Sequence, residues 1–146
     1  MTDNPLRSVT VERTGPGRFV ATNVRGGTIA FGGSSDTGTE FTPVELLLAA
    51  LGGCTAIDVD AATGRHAEPT RFTVAVTGNK VADEHGNHMT DLTVTFSVAF
   101  PDEDTPANER ARAILPRAVR SSHDRLCTVS RTVELGTPVT ARVEEA

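Results

Sequence analysis

The most apolar stretch of the chain, Thr42 to Gly64, has the residue spacing of a buried helix. Thr42 is a suitable N-cap, Pro43 fits the first helical position, and Glu45 completes a capping box. Gly64 offers a left-handed C-cap. The apolar stripe recurs at helical intervals and includes Leu46, Leu47, Ala50, Leu51, Cys54, Ile57 and Asp58. A helix that is apolar over so much of its circumference is predicted to be buried.

Two consecutive glycines, Gly52 and Gly53, interrupt this helix. Each costs about 1 kcal/mol of helix propensity relative to alanine. We expect a compensating reason for them, and the close approach of another backbone is the one we favour.

Strands are predicted on the N-terminal side of the helix. Alternating apolar and polar residues at Ser8–Arg13, Arg18–Val24 and Thr28–Phe31, separated by glycine-containing turns, indicate an antiparallel meander. The segment Gly32–Phe41 is rich in glycine, serine and threonine, and it is predicted to be a loop leading into the helix.

A second set of strands is predicted after the helix. Thr70–Thr77 and Asp91–Phe100 alternate, and the polar segment Gly78–Thr90 is predicted to connect them into an antiparallel hairpin. One face of this hairpin should lie on the buried helix. Further along, β-type alternation returns over Val129–Val143.

Thr105 and Pro106 repeat the cap-then-proline start of a helix, which should run towards His123. Pro116 should kink or divide this second helix. The elements together predict an α+β fold in which antiparallel sheets are wrapped around one long buried central helix.

Composition agrees with a globular chain. The sequence has 146 residues, of which 38% are hydrophobic and 23% charged, and this predicts a single domain over residues 1–146. The net charge of −5 argues against a nucleic-acid partner. A local surplus of arginines between Ala107 and Arg131 is either a solvated helix face or an anion site.

The N-terminal residues have neither a basic region nor an apolar core of the kind that opens a signal peptide, and we expect no membrane-spanning segment. A cytoplasmic location is therefore predicted. Two cysteines in a reducing compartment rarely form a permanent structural disulfide, and this raises the question of a redox or metal-binding role.

Cys54 and Cys127 are the leading candidates for chemistry. Cys54 is either a small buried hydrophobe or a reactive thiol, which in mid-helix would need a nearby cation or hydrogen-bond donors. Cys127 lies in the polar sequence His123–Cys127, which suits an exchanging thiol. A disulfide would need the two Cα atoms about 5–6 Å apart, and sequence spacing does not establish that.

Other chemistry has weaker support. His85 and His88 form an H-x-x-H sequence at a predicted turn without a second ligand pair, so we expect no metal site and no other cofactor. Cys54 with His123 could form a Cys/His hydrolase pair in which Asp124 or Asp58 orients the base.

The helix sequence Pro43–Val59 (PVELLLAALGGCTAIDV), followed much later by Leu126–Ser130 (LCTVS), resembles the OsmC/Ohr family of osmotically induced and organic-hydroperoxide-resistance proteins. The order and spacing of elements match from about Val9 to Val143. The resemblance is strongest to the OsmC-like branch of the family.

The resemblance implies an intertwined homodimer, in which each chain contributes strands to joint sheets around paired central helices. Such crossing helices offer a reason for Gly52 and Gly53. By motif position, Cys54 resembles the peroxidatic cysteine and Cys127 the resolving one. Glu45 matches a family glutamate that engages an arginine beside the thiolate.

The implied activity is reduction of an organic hydroperoxide by the two cysteines, which a dithiol then restores, with a lipoyl-type group as one candidate. The loop Gly32–Phe41 lacks the arginine that the family places in this part of the chain. Arg25 is the nearest substitute and Arg18 the second. The alternative function is a non-catalytic, stress-related protein that binds a small ligand and carries redox-sensitive thiols.

Overall fold

The computed structural model describes residues 4–33 and 38–145. Its contacts divide the chain into two compact units, Met1–Leu47 and Leu48–Ala146. The boundary falls inside the first helix, α1 (Pro43–Thr63). The single domain over residues 1–146 stays a prediction.

The first unit contains an antiparallel meander of β1 (Val9–Gly15), β2 (Arg18–Asn23) and β3 (Thr28–Gly32), with β2 in the middle. Gly17 and Gly26 lie in the two connecting turns with φ of 67° and 89°, a region that glycine adopts without steric cost. The predicted meander is confirmed. Of the predicted loop Gly32–Phe41, residues 34–37 lie outside the described residues.

The capping box at the start of α1 is present. The Thr42 N–H donates to Glu45 Oε1 at 2.8 Å, and the Glu45 N–H donates to Thr42 Oγ1 at 3.3 Å. The predicted left-handed cap at Gly64 is wrong, because its N–H continues the helical pattern to the Asp60 carbonyl at 2.8 Å. A Cβ on Gly64 would lie 2.7 Å from that oxygen, so lack of space explains the glycine.

Only one stripe of α1 is buried in the single chain. Leu51, Thr55, Val59 and Thr63, spaced four residues apart, form this stripe together with Gly52. Ile57 is 72% exposed. The expectation of burial on all sides is therefore wrong for the isolated chain.

The expectation that no segment approaches membrane-spanning length is also wrong, because α1 is long and apolar enough to cross a membrane. Helix α1 has 21 residues, and its most apolar window has a mean hydropathy of 1.5. The core helix of a soluble protein passes the same test, so this is weak evidence for a membrane.

The second unit is built on a long antiparallel hairpin of β4 (Arg71–Asp83) and β5 (Gly86–Ala99). Along β4 the side chains alternate between exposed and half-buried, as expected for a sheet with one covered face. The polar connection predicted at Gly78–Thr90 is wrong, because both strands continue through it to a tight turn at Glu84 and His85. Val81 and Ala82 are adjacent and Met89 stands among polar residues, and this hides the alternation.

The hairpin explains one of the two glycines of α1. A Cβ on Gly52 would lie 2.6 Å from Val76 Cγ2, so a β4 side chain occupies the space. At Gly53 a Cβ would meet nothing within 4 Å. The expected close approach of another backbone is therefore not the reason for Gly52 within this chain.

The rest of the second unit is helical. It consists of α2 (Pro106–Ser121), a π-helical segment (Ser122–Leu126) and α3 (Thr128–Glu134). Helix α2 starts as predicted, with the Asn108 N–H donating to Thr105 Oγ1 at 3.1 Å, and it continues undivided through Pro116. The strand predicted over Val129–Val143 is wrong: its first part is α3, and 137–145 has no assigned strand.

The α+β class is confirmed, with a three-stranded and a two-stranded antiparallel sheet and helices.

Candidate active site

Helix α1 contributes Cys54 and Thr55 to the centre of the second unit. Thr55 belongs to the buried stripe and is 4% exposed, whereas Cys54 is half-buried beside it. The Thr55 hydroxyl donates to the Leu51 carbonyl at 3.2 Å, which satisfies a polar group that is otherwise in apolar surroundings. The Cys54 sulfur therefore lies at the edge of the packed stripe.

Cys127 is placed by the change from π-helical to α-helical structure. Its backbone is extended, with φ −72° and ψ 102°, and its N–H closes the π-helical segment on the Ser122 carbonyl at 2.8 Å. Cys127 is then the N-cap of α3: its Sγ accepts the Ser130 N–H at 3.4 Å. The side chain is 0% exposed.

A partly buried hydrogen bond ties the π-helical segment to α1. The Ser122 hydroxyl donates to Asp58 Oδ2 at 2.7 Å, and Ser122 is 0% exposed. Asp58 follows Cys54 by one helical turn. The bond therefore anchors the segment that carries Cys127 next to the turn of α1 that carries Cys54.

The two cysteines are free, and each thiol acts on the other. Burial raises the pKa of the Cys54 thiol, and a hydrogen bond from the Val129 N–H offsets this only in part. The Cys127 thiol and the Asp58 carboxylate raise the Cys54 pKa further. None of these groups is a cation.

The pKa of Cys127 moves in the opposite direction. Burial acts to raise it, but hydrogen bonds from Ser130, Thr55 and Cys54 outweigh burial and lower the pKa to about 7. Hydrogen bonds that favour a charged group lower the pKa of an acid in this way. The more enclosed sulfur is thus the more acidic one.

A cavity of about 390 Å³ in the second unit has Thr55, which follows Cys54 in sequence, and Ser130, which bonds Cys127, in its wall. The remaining lining residues are mainly apolar: Leu51, Leu92, Thr93, Val94, Phe96, Val119 and Val133, together with His123 and Glu134. A cavity of this size and lining suits a small, largely apolar ligand.

The predicted partners of His123 are not the observed ones. His123 Nε2 lies 3.3 Å from Glu134 Oε1, and Asp58 is engaged by Ser122. Glu134 also pairs with Arg131 at 2.7 Å. The prediction that Asp124 or Asp58 orients His123 as a base is therefore wrong.

Glu45 and Arg25 both lie in the first unit. Glu45 closes the capping box of α1, and Arg25 follows β2 in the turn where its N–H donates to Asn23 Oδ1 at 2.9 Å. Arg18, the second candidate, forms an ion pair with Glu40 at 2.8 Å. The roles of Glu45 and Arg25 beside Cys54 stay predictions.

Two further sequence features lie on the surface. His85 and His88 occupy the end of the β4–β5 hairpin, and within 4–33 and 38–145 no group of three potential metal ligands is found. The arginines of α2 are exposed, and Arg112 is held by the Pro101 carbonyl at 2.8 Å.

Sequence reasoning missed Ser122 and Ser130. Ser130 follows Cys127 by three residues, which is the spacing between an N-cap side chain and the N–H that it accepts. That spacing was a usable signal. No local sequence signal pointed to Ser122, because its partner Asp58 is distant in sequence.

Comparison with known proteins gives consistent matches over most of the chain. The family model described as OsmC-like protein matches residues 34–142. An uncharacterized protein of Mycobacterium bovis is 32% identical over 134 residues, covering 91% of this chain and 93% of its own.

Solved structures show a similar fold. An OsmC-like protein of unknown function from Vibrio cholerae has a TM-score of 0.69 at 16% identity, covering 92% of this chain and 95% of its own. An OsmC-like protein from Mycoplasma pneumoniae has a TM-score of 0.70 at 12% identity, covering 90% and 89%.

Proposed function

The chain belongs to the OsmC-like protein family, and from this we propose that it is a thiol-dependent peroxidase that reduces organic hydroperoxides with Cys54 and Cys127. The sequences Pro43–Val59 and Leu126–Ser130, which resemble those of organic-hydroperoxide-resistance proteins, support this activity. The observation that carries the proposal is the 2.7 Å hydrogen bond from Ser122 to Asp58, which holds the segment before Cys127 against the helical turn after Cys54. Two free thiols that are distant in sequence are thereby carried on neighbouring segments, as a two-cysteine redox cycle needs.

Exposure supports the assignment of roles. Cys54 is half-buried and can meet a substrate, whereas Cys127 is completely enclosed. The Cys54 sulfur attacks the distal oxygen of the hydroperoxide, the O–O bond breaks, and the alcohol leaves. Cys54 becomes a sulfenic acid, Cys127 condenses with it, and water is released as the disulfide forms.

Reduction of the disulfide requires a dithiol, for which a lipoyl-type group is one candidate. The proposal assigns Glu45 and Arg25 to support of the Cys54 thiolate, because a cation lowers the pKa of a thiol. This assignment rests on the family likeness of the α1 sequence. The protein is proposed to act in the cytoplasm, where a dithiol pool is available.

We further propose that the protein is an intertwined homodimer. Ile57 on α1 is 72% exposed, and Gly53 beside it is open. In the C-terminal segment, Val139 and Val143 are 94% and 97% exposed, although their sequence has β-type alternation. A second copy that covers these positions would bury apolar surface that single chains rarely leave open.

The decisive experiment treats the reduced protein with one equivalent of cumene hydroperoxide and examines the thiols by mass spectrometry. The wild type should form the Cys54–Cys127 disulfide. Cys127→Ser should stop at the sulfenic acid, and Cys54→Ser should not react. Wild-type protein with neither disulfide nor sulfenic acid would contradict the peroxidase proposal.

The cavity supports a second candidate function. Its mainly apolar lining suits a non-catalytic module that binds a small apolar ligand, in a protein that also carries redox-sensitive thiols. In that case an apolar fluorescent probe should bind equally well to wild type and Cys54→Ser, and wild type should show no peroxide turnover.

A further inference from the structure

A β-bulge interrupts the β4–β5 hairpin. The strand register shifts at Gly78, which faces two residues of β5, Asp91 and Leu92. An extra residue of this kind bends its strand and changes the direction of a neighbouring side chain. Leu92 belongs to the wall of the cavity, so the bulge lies where it affects the space for a ligand.

Asp91 holds the bulge in place. Its φ is 55°, in the left-handed region that aspartate and asparagine adopt more readily than other residues with a side chain. Its Oδ2 accepts the Asn79 side-chain N–H at 3.1 Å and the Thr90 hydroxyl at 3.2 Å. Because the bond from Asn79 crosses from β4, the carboxylate fastens the bulged strand to its partner.

Gly78 leaves the space that the Leu92 side chain uses. A Cβ on Gly78 would lie 2.8 Å from Leu92 Cδ2 and 3.1 Å from Met89 Cε, and the first distance is shorter than real contacts. Gly78 itself lies outside the cavity wall, and of the two neighbouring side chains Leu92 belongs to it. A side chain at position 78 would therefore act on the cavity through Leu92.

The cavity has one apolar boundary on the side of the hairpin turn. The residues of β5 in its wall are Leu92, Thr93, Val94 and Phe96, so Leu92 is the first of them along the strand. The hydroxyl groups of Thr55 and Ser130 are in the wall, and Glu134 already pairs with Arg131 at 2.7 Å. An apolar chain with one small polar group fits such a lining.

We propose that Leu92 limits the length of the apolar chain that the cavity accepts, and that Gly78 and Asp91 are positioning residues for Leu92. The ligand class is an unbranched alkyl hydroperoxide, or the alcohol that its reduction forms. The inference deepens the peroxidase proposal and rests on it for the reaction, whereas binding of the alcohol requires neither cysteine.

The test is isothermal titration calorimetry of the reduced full-length protein with straight-chain alcohols from n-butanol to n-decanol. In the wild type the affinity should rise about fourfold for each methylene group that is buried, and it should stop rising once the chain fills the cavity. That chain length is the limit. No binding of any of these alcohols would overturn the inference.

Leu92→Ala should move the limit to chains about three methylene groups longer, which is the difference between the two side chains. Thr95→Ala is the control, because Thr95 is exposed on the other face of β5, and it should leave the limit unchanged. A limit that Leu92→Ala does not move would overturn the inference.

Gly78→Ala should move the limit the other way, to chains about one methylene group shorter, because the added methyl group displaces Leu92. The two atoms nearest to this methyl group are the ends of flexible side chains, so we expect the variant to fold. In the Leu92→Ala background, Gly78→Ala should no longer change the limit. An effect that persists there would assign it to Met89 and refute the positioning role of Gly78.

Asp91→Asn should keep the wild-type limit, because asparagine also adopts the left-handed region and retains a side-chain acceptor. Asp91→Val should make the affinity less dependent on chain length, since a β-branched residue does not sustain this φ. A lower stability of Asp91→Val with an unchanged limit would show that Asp91 does not position Leu92.

Binding and turnover can fail separately. Alcohol binding with the expected limit, in a protein that forms no disulfide with cumene hydroperoxide, would contradict the peroxidase proposal and leave the role of Leu92 intact. Disulfide formation together with a limit that Leu92→Ala does not move would contradict the inference and leave the peroxidase proposal intact.

Discussion

Replacement of Gly52 or of Gly53 in α1 by alanine is expected to change the stability of the fold in different ways. In Gly52→Ala the new methyl group would lie 2.6 Å from Val76 Cγ2 and 3.5 Å from Val74 Cγ1. The first distance is shorter than real contacts, and Val76 is β-branched, so it cannot rotate away freely. Overpacking of this kind costs about 1–3 kcal/mol.

Helix propensity acts against that cost, because replacing glycine by alanine in a helix interior gains about 0.5–1 kcal/mol. We therefore expect Gly52→Ala to lower the free energy of unfolding by about 1 kcal/mol net, since overpacking outweighs propensity. Urea denaturation monitored by circular dichroism measures this difference. A variant as stable as wild type, or more stable, would refute the packing of Gly52 against β4.

Gly53→Ala is the matched control, because a Cβ there would meet nothing within 4 Å in the described single chain. If the face of α1 stayed open, the substitution would gain about 0.5–1 kcal/mol. The proposed dimer predicts the reverse, with weaker association that depends on protein concentration. A gain in stability with an unchanged mass by light scattering would place Gly53 outside the interface.

Three further outcomes are expected. Ser122→Ala should cost about 1.5–3 kcal/mol in urea denaturation, because it removes a partly buried hydrogen bond to the Asp58 carboxylate. A loss below about 0.5 kcal/mol would show that this bond does not anchor the segment. Under reducing conditions the free energy of unfolding of the wild type should rise from pH 7 to 9, because the Cys127 pKa is about 7 in the folded chain and 9.0 as a free thiol, so the unfolded chain binds more protons in this window. This contribution to stability is lost as the pH falls through 7. An equally large slope in Cys127→Ser would assign the pH dependence to other groups. Ile57→Asp should give a monomer by light scattering, and a variant that keeps the wild-type mass would place Ile57 outside the interface.

Local signals identified most elements of the fold. The capping box of Thr42 and Glu45 located α1 to within one residue at its start, and turn glycines separated the strands of the meander. Errors occurred where the pattern was ambiguous. Val129 and Val133 are half-buried or exposed residues of a short helix, and their neighbours gave the same alternation as a strand.

The sequence predicts chemistry at both cysteines, but it gives no signal for the contacts around them. The acidity of Cys127 depends on Thr55, and the position of its segment depends on Asp58, both of which are on another helix. Long-range contacts of this kind leave no local pattern. The expected burial of α1 failed for a related reason, because periodicity indicates which residues are apolar and not which molecule covers them.

The complete enclosure of Cys127 gives the reducing half of the proposed cycle a direction. A dithiol would reach only the sulfur that has some exposure, so in the proposed cycle the mixed disulfide is expected on Cys54. Cys127 is then displaced as the leaving group, and a thiol of low pKa leaves faster. The burial that hides one sulfur from solvent thus selects which sulfur the reductant attacks.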